Sequence, residues 1–288
     1  MKTTPDLELS AAHADAVAAL RADMDGLERI EADVLGAQTV RATLGPALEA
    51  FRREALSLWG THDHFVLRGV PAAEDGSTGL LLAALLFHRL RPYRAGRIVK
   101  TFLMTPWTTA LSHTLAEGSF HTDLNTAERP PAATLMQCVH PDPDAPRHGQ
   151  LRVARFSDLL DVLRASNHGG AVRLLTEDDV AMVNDASPVH WSGRVSDGDT
   201  VRFHPETLRA GQRRLGSNPT DLDETLRVIH DAALFVSCPI DLGPGDILCV
   251  SNRRALHQRG ACTVRFRSFP RDFESRSVAV MHAMDDLG

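Results

Sequence analysis

A histidine two residues ahead of a carboxylate can aim two metal ligands to one side, because alternate side chains of an extended strand share a face. The chain contains such pairs at His13–Asp15, His121–Asp123, His140–Asp142 and His204–Glu206. With 14 histidines present, about two such pairs would arise by chance at ordinary acidic content, so their surroundings have to discriminate. His13 and Asp15 fall in a helical pattern, where positions i and i+2 diverge around the axis. His140 and Asp142 flank Pro141 in a proline-rich stretch that reads as a solvated turn. His204 and Glu206 flank Pro205 at a helix start, which is ordinary capping chemistry. His121 and Asp123 follow Gly118-Ser119-Phe120 and precede a turn segment, 125–131, and then a strand. They are the pair in a setting that suits a metal.

Two histidines and one carboxylate on one face of an octahedron leave three positions open, the arrangement that non-haem iron uses for oxygen chemistry. The missing histidine must come from a distant strand that folds back beside the first. Residues 245–260, GDILCVSNRRALHQRG, offer it: Gly245-Asp246 make a turn, 247–250 is a buried strand, and His257 follows Arg253-Arg254. His62-Asp63-His64 is a rival cluster, but a tetrahedral zinc site would need further ligands. A polar entrance to the apolar strand that follows is the better reading there.

The elements that must position these residues follow from periodicity and turn signals. Residues 11–24 and 46–59 have helical apolar spacing. Residues 64–70 read as a buried strand, 80–90 as a helix and 97–104 as a strand. Strand-like runs then alternate with turns at 133–140, 151–156, 235–240, 247–252 and 275–284, with helices over 158–166 and 220–234. Short strands spaced by turns, with helices concentrated early, predict a mainly β fold with flanking α: a jelly-roll core with N-terminal and peripheral helices. One domain over 1–288 is expected, with 1–60 a helical N-terminal packing segment and 165–220 a variable insert on the substrate side.

Bulk properties exclude other classes. The 288 residues carry a net charge of −6, with a pI near 6.1, which leaves no basic footprint for nucleic acid or an anionic membrane. The longest apolar run, 79–87, is too short to span a bilayer. Four scattered cysteines, Cys138, Cys238, Cys249 and Cys262, fit free thiols in a reducing compartment, so a cytoplasmic protein acting on a small molecule is expected. Homo-oligomerisation stays open. Nucleophile-elbow, zinc-protease, P-loop and dinucleotide-binding motifs are absent from the sequence.

The runs HTD (121–123), PPAATLMQCV (130–139) and GPGDILCVSNRRALHQR (243–259), with the arginine-rich tail after them, resemble the TauD/TfdA superfamily and its clavaminate synthase-like branch. The likeness is greatest to the free-amino-acid hydroxylases of that branch, and FVLRGVP (65–71) looks like their early strand. The resemblance implies a double-stranded β-helix, Fe(II) held by His121, Asp123 and His257, and 2-oxoglutarate and O2 as cosubstrates. It also implies an arginine beyond the second histidine that binds the distal carboxylate of 2-oxoglutarate, which falls on Arg271, with Arg267 and Arg276 as alternatives. The planar fork of arginine suits a bidentate carboxylate.

The chain departs from the family pattern at three places. Asp123 stands where the amino-acid hydroxylases carry Glu, Leu151 where a cosubstrate-binding Thr is common, and Ser251 where Asp precedes Asn252-Arg253. A retained carboxylate at 123 argues against halogenation. The implied reaction is hydroxylation of an unactivated C–H bond in a small polar substrate, a free amino acid or a derivative in a biosynthetic pathway. The same cofactors also support desaturation, epoxidation or cyclisation, and a non-catalytic jelly-roll metal- or ligand-binding protein is the reading from another class. Loops 104–119 and 186–204 are expected to line the pocket, with Trp107, His113, His190, Trp191 and Arg202 as candidate contacts.

Overall fold

The computed structural model describes residues 4–184, 190–216, 219 and 221–288. Its strands in chain order are β1 (Asp6–Glu8), β2 (His64–Arg68), β3 (Lys100–Leu103), β4 (Ala133–His140), β5 (Leu151–Arg155), β6 (Asp179–Val183), β7 (His190–Arg194), β8 (Cys238–Ile240), β9 (Ile247–Ser251), β10 (Ala255–Arg259), β11 (Val264–Ser268), β12 (Asp272–Ser275) and β13 (Ser277–Ala283). The helices are α1 (Ala11–Met24), α2 (Leu27–Leu35), α3 (Thr39–Ala47), α4 (Glu49–His62), α5 (Ser77–Leu86), α6 (Phe156–Ala165), α7 (Gly169–Thr176), α8 (Pro205–Leu215) and α9 (Leu222–Val236).

Strand alternation builds a sandwich. The larger sheet runs β1-β2-β9-β4-β13-β3, the smaller β10-β5-β8. In the larger sheet, Val66, Met136, Leu248, Val250, Val278 and Val280 face inward and meet Leu151, Val153, Ile240 and Ala255 of the smaller sheet. The alternate residues Phe65, Leu67, Leu135, Ile247, Cys249, Ala279 and Met281 face the other way, onto the N-terminal helices. A sheet covered on both faces needs apolar residues at consecutive positions, and β9 and β13 are buried throughout. Two facing sheets, antiparallel except for the parallel edge pair β1–β2, form the expected jelly-roll core with helices outside.

All ten residues of α5 are buried, because the helix is apolar all round and lies between α1–α4 and the larger sheet. Each of its fully buried leucines stabilises the fold by about 1.5–3 kcal/mol relative to exposure. Outside the smaller sheet, α6–α9 pack with Phe120, Ala154 and Leu256 into a separate apolar cluster.

Local structure departs from the sequence reading in several places. Residues 46–59 are divided: α3 ends at Ala47 with Pro46 inside its last turn, and α4 starts at Glu49. Helices α2, α3 and α7 and the strands β6 and β7 have no counterpart in the sequence reading, whereas α8 starts at Pro205 with His204 as its cap, as the sequence predicts. Asp142 is buried rather than solvated, accepting hydrogen bonds from Thr263 and from the Asp144 N–H. Asp63 ends α4 in a left-handed conformation and pairs with Arg155 and Arg254 at 3.1 and 2.6 Å, so the 62–64 cluster serves the fold. Among the described residues, no helix is long and apolar enough to cross a membrane.

Candidate metal centre

After β9 the chain turns at Asn252–Arg254 and crosses from the larger to the smaller sheet as β10, which carries His257. Phe120 packs into the outer cluster just ahead of His121. There His121 and His257 form a single antiparallel bridge, exchanging two backbone hydrogen bonds of 3.0 Å each. Directly opposed residues of an antiparallel pair project to the same face, and the two ring centroids are 4.5 Å apart. His121 is not part of a longer strand. The chain turns at Asp123, and Leu124 takes a positive φ of 51°. The carboxylate therefore joins the imidazoles through a turn, not through strand alternation.

Asp123 Oδ1 lies 3.5 Å from His121 Nε2 and Oδ2 lies 3.5 Å from His257 Nε2. One ligand atom from each of the three residues falls within 4.8 Å of the others, and no other such group of His, Cys, Asp or Glu occurs among the described residues. His121 Nδ1 donates to the Ser119 carbonyl at 2.8 Å. A carbonyl can only accept, so the proton sits on Nδ1 and the Nε2 lone pair is free for a metal. His257 Nδ1 is buried without a hydrogen-bond partner among the described residues. Two nitrogens and one oxygen with no fourth protein ligand fit a metal that must keep open positions.

Asp123 is held from several directions. Its N–H donates to Asn252 Oδ1 at 2.6 Å, and Asn252 Nδ2 donates to the Asp123 and Pro131 carbonyls at 3.0 Å each. Thr134 Oγ1 donates to Oδ2 at 2.8 Å, and His282 Nε2 lies 3.1 Å from the same oxygen. Burial would raise the Asp123 pKa, but the neighbouring His257 charge and the hydrogen bonds from His121, His257 and His282 hold it well below the usual range. Burial would lower His121; the hydrogen bond and charge of Asp123 outweigh it and raise that imidazole. At His257 burial prevails and the pKa is lowered.

A fourth histidine adjoins this group. His204 caps α8, its Nδ1 accepting the Glu206 N–H at 3.2 Å, and its ring centroid is 5.0 Å from that of His121. Thr122 fixes the approach by exchanging hydrogen bonds with Phe203. Burial first, and then the charge of His121, push His204 down to about 3, so it is a neutral ring with its remaining proton on Nε2. The H-x-E pattern was visible in the sequence, but only the Thr122–Phe203 pairing brings its histidine to the metal group.

The arginines separate clearly. Arg271 is exposed in the turn of the β11–β12 hairpin, and Arg267 is exposed and pairs with Glu274 at 2.7 Å. Arg276, between β12 and β13, is 3% exposed, and its guanidinium makes no ion pair or hydrogen bond among the described residues. Burial lowers its pKa. Gly149 permits its placement: a Cβ there would lie 3.0 Å from Arg276 Cδ and 2.7 Å from Asp142 Cβ, and its φ of +75° is one that L side chains rarely adopt. Leu151 points into the inter-sheet core and offers no hydroxyl.

The expected pocket residues serve other contacts. Trp107 is 57% exposed and packs on Phe266 and Phe269 of the hairpin. His113 lies 3.0 Å from the Leu103 carbonyl and packs against Phe102. Arg202 donates to the carbonyls of Asn125, Ala127 and Glu128 and lies over Trp191, so it fixes the segment after Asp123. His190 is exposed at the start of β7. Of the expected loop 186–204, residues 186–189 lie outside the described residues.

Comparison with known proteins agrees with this geometry. The family model described as taurine catabolism dioxygenase TauD, TfdA family matches residues 29–269. No curated protein matches the chain. Among solved structures, asparagine oxygenase in complex with Fe(II), 2S,3S-3-hydroxyasparagine and succinate superposes with a TM-score of 0.72 at 19% identity, covering 96% of this chain and 93% of that one. The non-haem iron oxygenase OrfP in complex with Fe and alpha-ketoglutaric acid gives a TM-score of 0.67 at 21% identity, covering 99% of this chain and 95% of that one.

Proposed function

Because the chain belongs to the taurine catabolism dioxygenase TauD, TfdA family, we propose that it is a 2-oxoglutarate-dependent non-haem iron oxygenase that hydroxylates a free amino acid or a close derivative. The observation that carries this reading is the His121–Asp123–His257 group in a chain whose buried Arg276 guanidinium makes no ion pair or hydrogen bond among the described residues. Bound Fe(II) would supply oxidative decarboxylation of 2-oxoglutarate by O2, coupled to oxygen insertion into a C–H bond.

The roles of the side chains follow from their surroundings. His121 and His257 would each present Nε2, and Asp123 a carboxylate oxygen, to the metal. Arg276 would take the distal carboxylate of 2-oxoglutarate in place of Arg271. A buried unpaired guanidinium is costly, and an incoming carboxylate relieves that cost through charge-assisted hydrogen bonds. An exposed arginine in a hairpin turn has water for that purpose already. His204 would face the substrate as a neutral N–H donor beside the His121 ring. Asn252 and Arg202 keep the segment around Asp123 in place. The four scattered cysteines fit a reducing compartment, and we place the protein in the cytoplasm.

Asparagine oxygenase is bound to a hydroxyasparagine, and OrfP to (3S)-hydroxy-L-Arg, which supports free amino acids as the class to test. The test is a screen of the proteinogenic amino acids for those that stimulate succinate release by the Fe(II)-loaded protein. Stimulation by one polar amino acid with stoichiometric hydroxylated product is expected. Uniform background release across the set would overturn the substrate assignment.

A further inference from the structure

A carboxylate can bind a metal through one oxygen or through both, and the two modes leave different numbers of open positions. Both oxygens of Asp123 are placed to reach the metal, since each lies 3.5 Å from one of the two ligand imidazoles. What distinguishes them is their hydrogen bonding. Oδ2 takes Thr134 Oγ1 at 2.8 Å and His282 Nε2 at 3.1 Å, whereas among the described residues Oδ1 has only His121 nearby.

Those two donors are a built pair. Thr134 on β4 and His282 on β13 are direct cross-strand partners, both are buried, and both project toward Asp123. Behind them the Tyr93 hydroxyl lies 2.6 Å from His282 Nδ1. An ionised Asp123 can only accept, so His282 donates from Nε2 and accepts from Tyr93 at Nδ1. Tyr93 is the one tyrosine in the sequence. The backbone holds it in place: Arg91 N–H donates to the His282 carbonyl at 2.8 Å, Leu90 bridges Ala283, and Tyr93 N–H donates to Arg97 O at 2.6 Å. Neither the metal nor the cosubstrate needs this network as a ligand.

We infer that Thr134, His282 and Tyr93 are positioning residues that occupy Asp123 Oδ2 and so keep the carboxylate a one-oxygen ligand through Oδ1. This rests on the oxygenase reading above. With Oδ2 held, the centre keeps three positions, two for the chelating 2-oxo acid and one for O2. With Oδ2 released, it can close onto the metal and take the position meant for O2. The network also withdraws charge from the carboxylate and fixes its plane, as hydrogen-bonded partners behind metal ligands do.

The test uses Thr134→Val, Thr134→Ser, His282→Leu and Tyr93→Phe in the full chain, with Co(II) as a spectroscopic substitute for Fe(II). Wild type with Co(II) and 2-oxoglutarate should give a visible spectrum whose intensity rises when the activating amino acid lowers the coordination number. Thr134→Val and His282→Leu should lose that rise, bind Fe(II) about 10–100-fold more weakly, and release more succinate per hydroxylated product. Thr134→Ser should restore wild-type behaviour, and Tyr93→Phe should fall between wild type and His282→Leu.

Thr134→Val is nearly isosteric, so it keeps the test alive if His282→Leu does not fold. Metal affinity within twofold of wild type and an unchanged Co(II) response in Thr134→Val would overturn the inference. A Tyr93→Phe variant identical to wild type would remove Tyr93 from it. Failure of wild type itself to bind Fe(II) and 2-oxoglutarate would instead sink the oxygenase reading.

Discussion

Asn252 and Asp123 clasp one another through their backbone and amide groups: the Asp123 N–H donates to Asn252 Oδ1 at 2.6 Å, and Asn252 Nδ2 donates back to the Asp123 carbonyl at 3.0 Å. The contact joins the turn that carries Asp123 to the crossover that leads to His257, across 129 residues of sequence. Asn252 is buried and has a third bond to Pro131 O. Asn252→Ala leaves one N–H and two carbonyls without partners. It should cost about 3 kcal/mol of stability and weaken Fe(II) binding together. Chemical denaturation and equilibrium dialysis would check this; a stable variant with unaltered metal affinity would show that the clasp does not position Asp123.

The two arginines assigned by different arguments can be set against each other. Arg276→Met should raise the KM for 2-oxoglutarate by about 100-fold, the loss expected when one partner of a desolvated charge pair is removed. Arg271→Ala should stay within about twofold of wild type, as exposed positions usually do. A second consequence concerns the protein without cosubstrate. Removing a buried unpaired cation should leave the Tm of Arg276→Met equal to or above that of wild type, while abolishing the rise in Tm that 2-oxoglutarate gives to wild type.

Metal binding should depend on pH through His121. Burial would lower this imidazole, but the hydrogen bond and charge of Asp123 raise it above its ordinary value. A proton on His121 competes with the metal, so that competition persists to higher pH than for a free imidazole. Fe(II) affinity should rise about tenfold per pH unit below the His121 pKa and level off above it. His257, lowered by burial, adds no competition near neutrality. In the metal-free protein the sign for stability is opposite. The protonated His121–Asp123 contact contributes fully below the unfolded imidazole value and is lost as pH rises through the raised folded one. Co(II) titrations across pH, beside denaturation of the metal-free protein, read both slopes.

His204 joins a structural role to a position beside the centre. Its Nδ1 caps α8 and its ring lies against His121. His204→Asn keeps a capping side chain but withdraws the ring proton from the centre. The KM for the amino-acid substrate should rise at least about tenfold, the loss expected for one hydrogen bond in a dry site. The KM for 2-oxoglutarate should not move. Equal changes in both would show that His204 acts only on the fold.

Much of the site was legible because it resides in short runs. The strand Ala133–His140 was read at its observed limits, and the 245–260 block contained both Asn252 and His257. At His121 and Asp123 one bridge and a turn stand where the spacing predicts an alternating strand, because the backbone bond to His257 is not continued along the chain. Counting along the tail falls on Arg271, which lies exposed in the turn of the β11–β12 hairpin; spacing cannot reveal that this hairpin returns the chain to the sandwich at the buried Arg276. Thr134, Tyr93 and His282 had no local signature. Thr134 and His282 meet through the β4–β13 pairing, Tyr93 joins them through the Leu90–Ala283 bridge, and His282 lies 159 residues from Asp123. For helix α3 the reason is plainer, because Pro46 marks a helix start in most settings but here lies within the last turn of α3.

The central claim is that His121, Asp123 and His257 hold Fe(II) while Arg276 anchors a chelating 2-oxo acid. The most direct measurement is the visible absorption of the anaerobic protein with Fe(II) and 2-oxoglutarate added in turn. The account predicts a weak metal-to-ligand charge-transfer band that appears only with both present, is absent in Asp123→Ala, and needs far more 2-oxoglutarate in Arg276→Met. No band in wild type, or a band indifferent to Asp123→Ala, would contradict it.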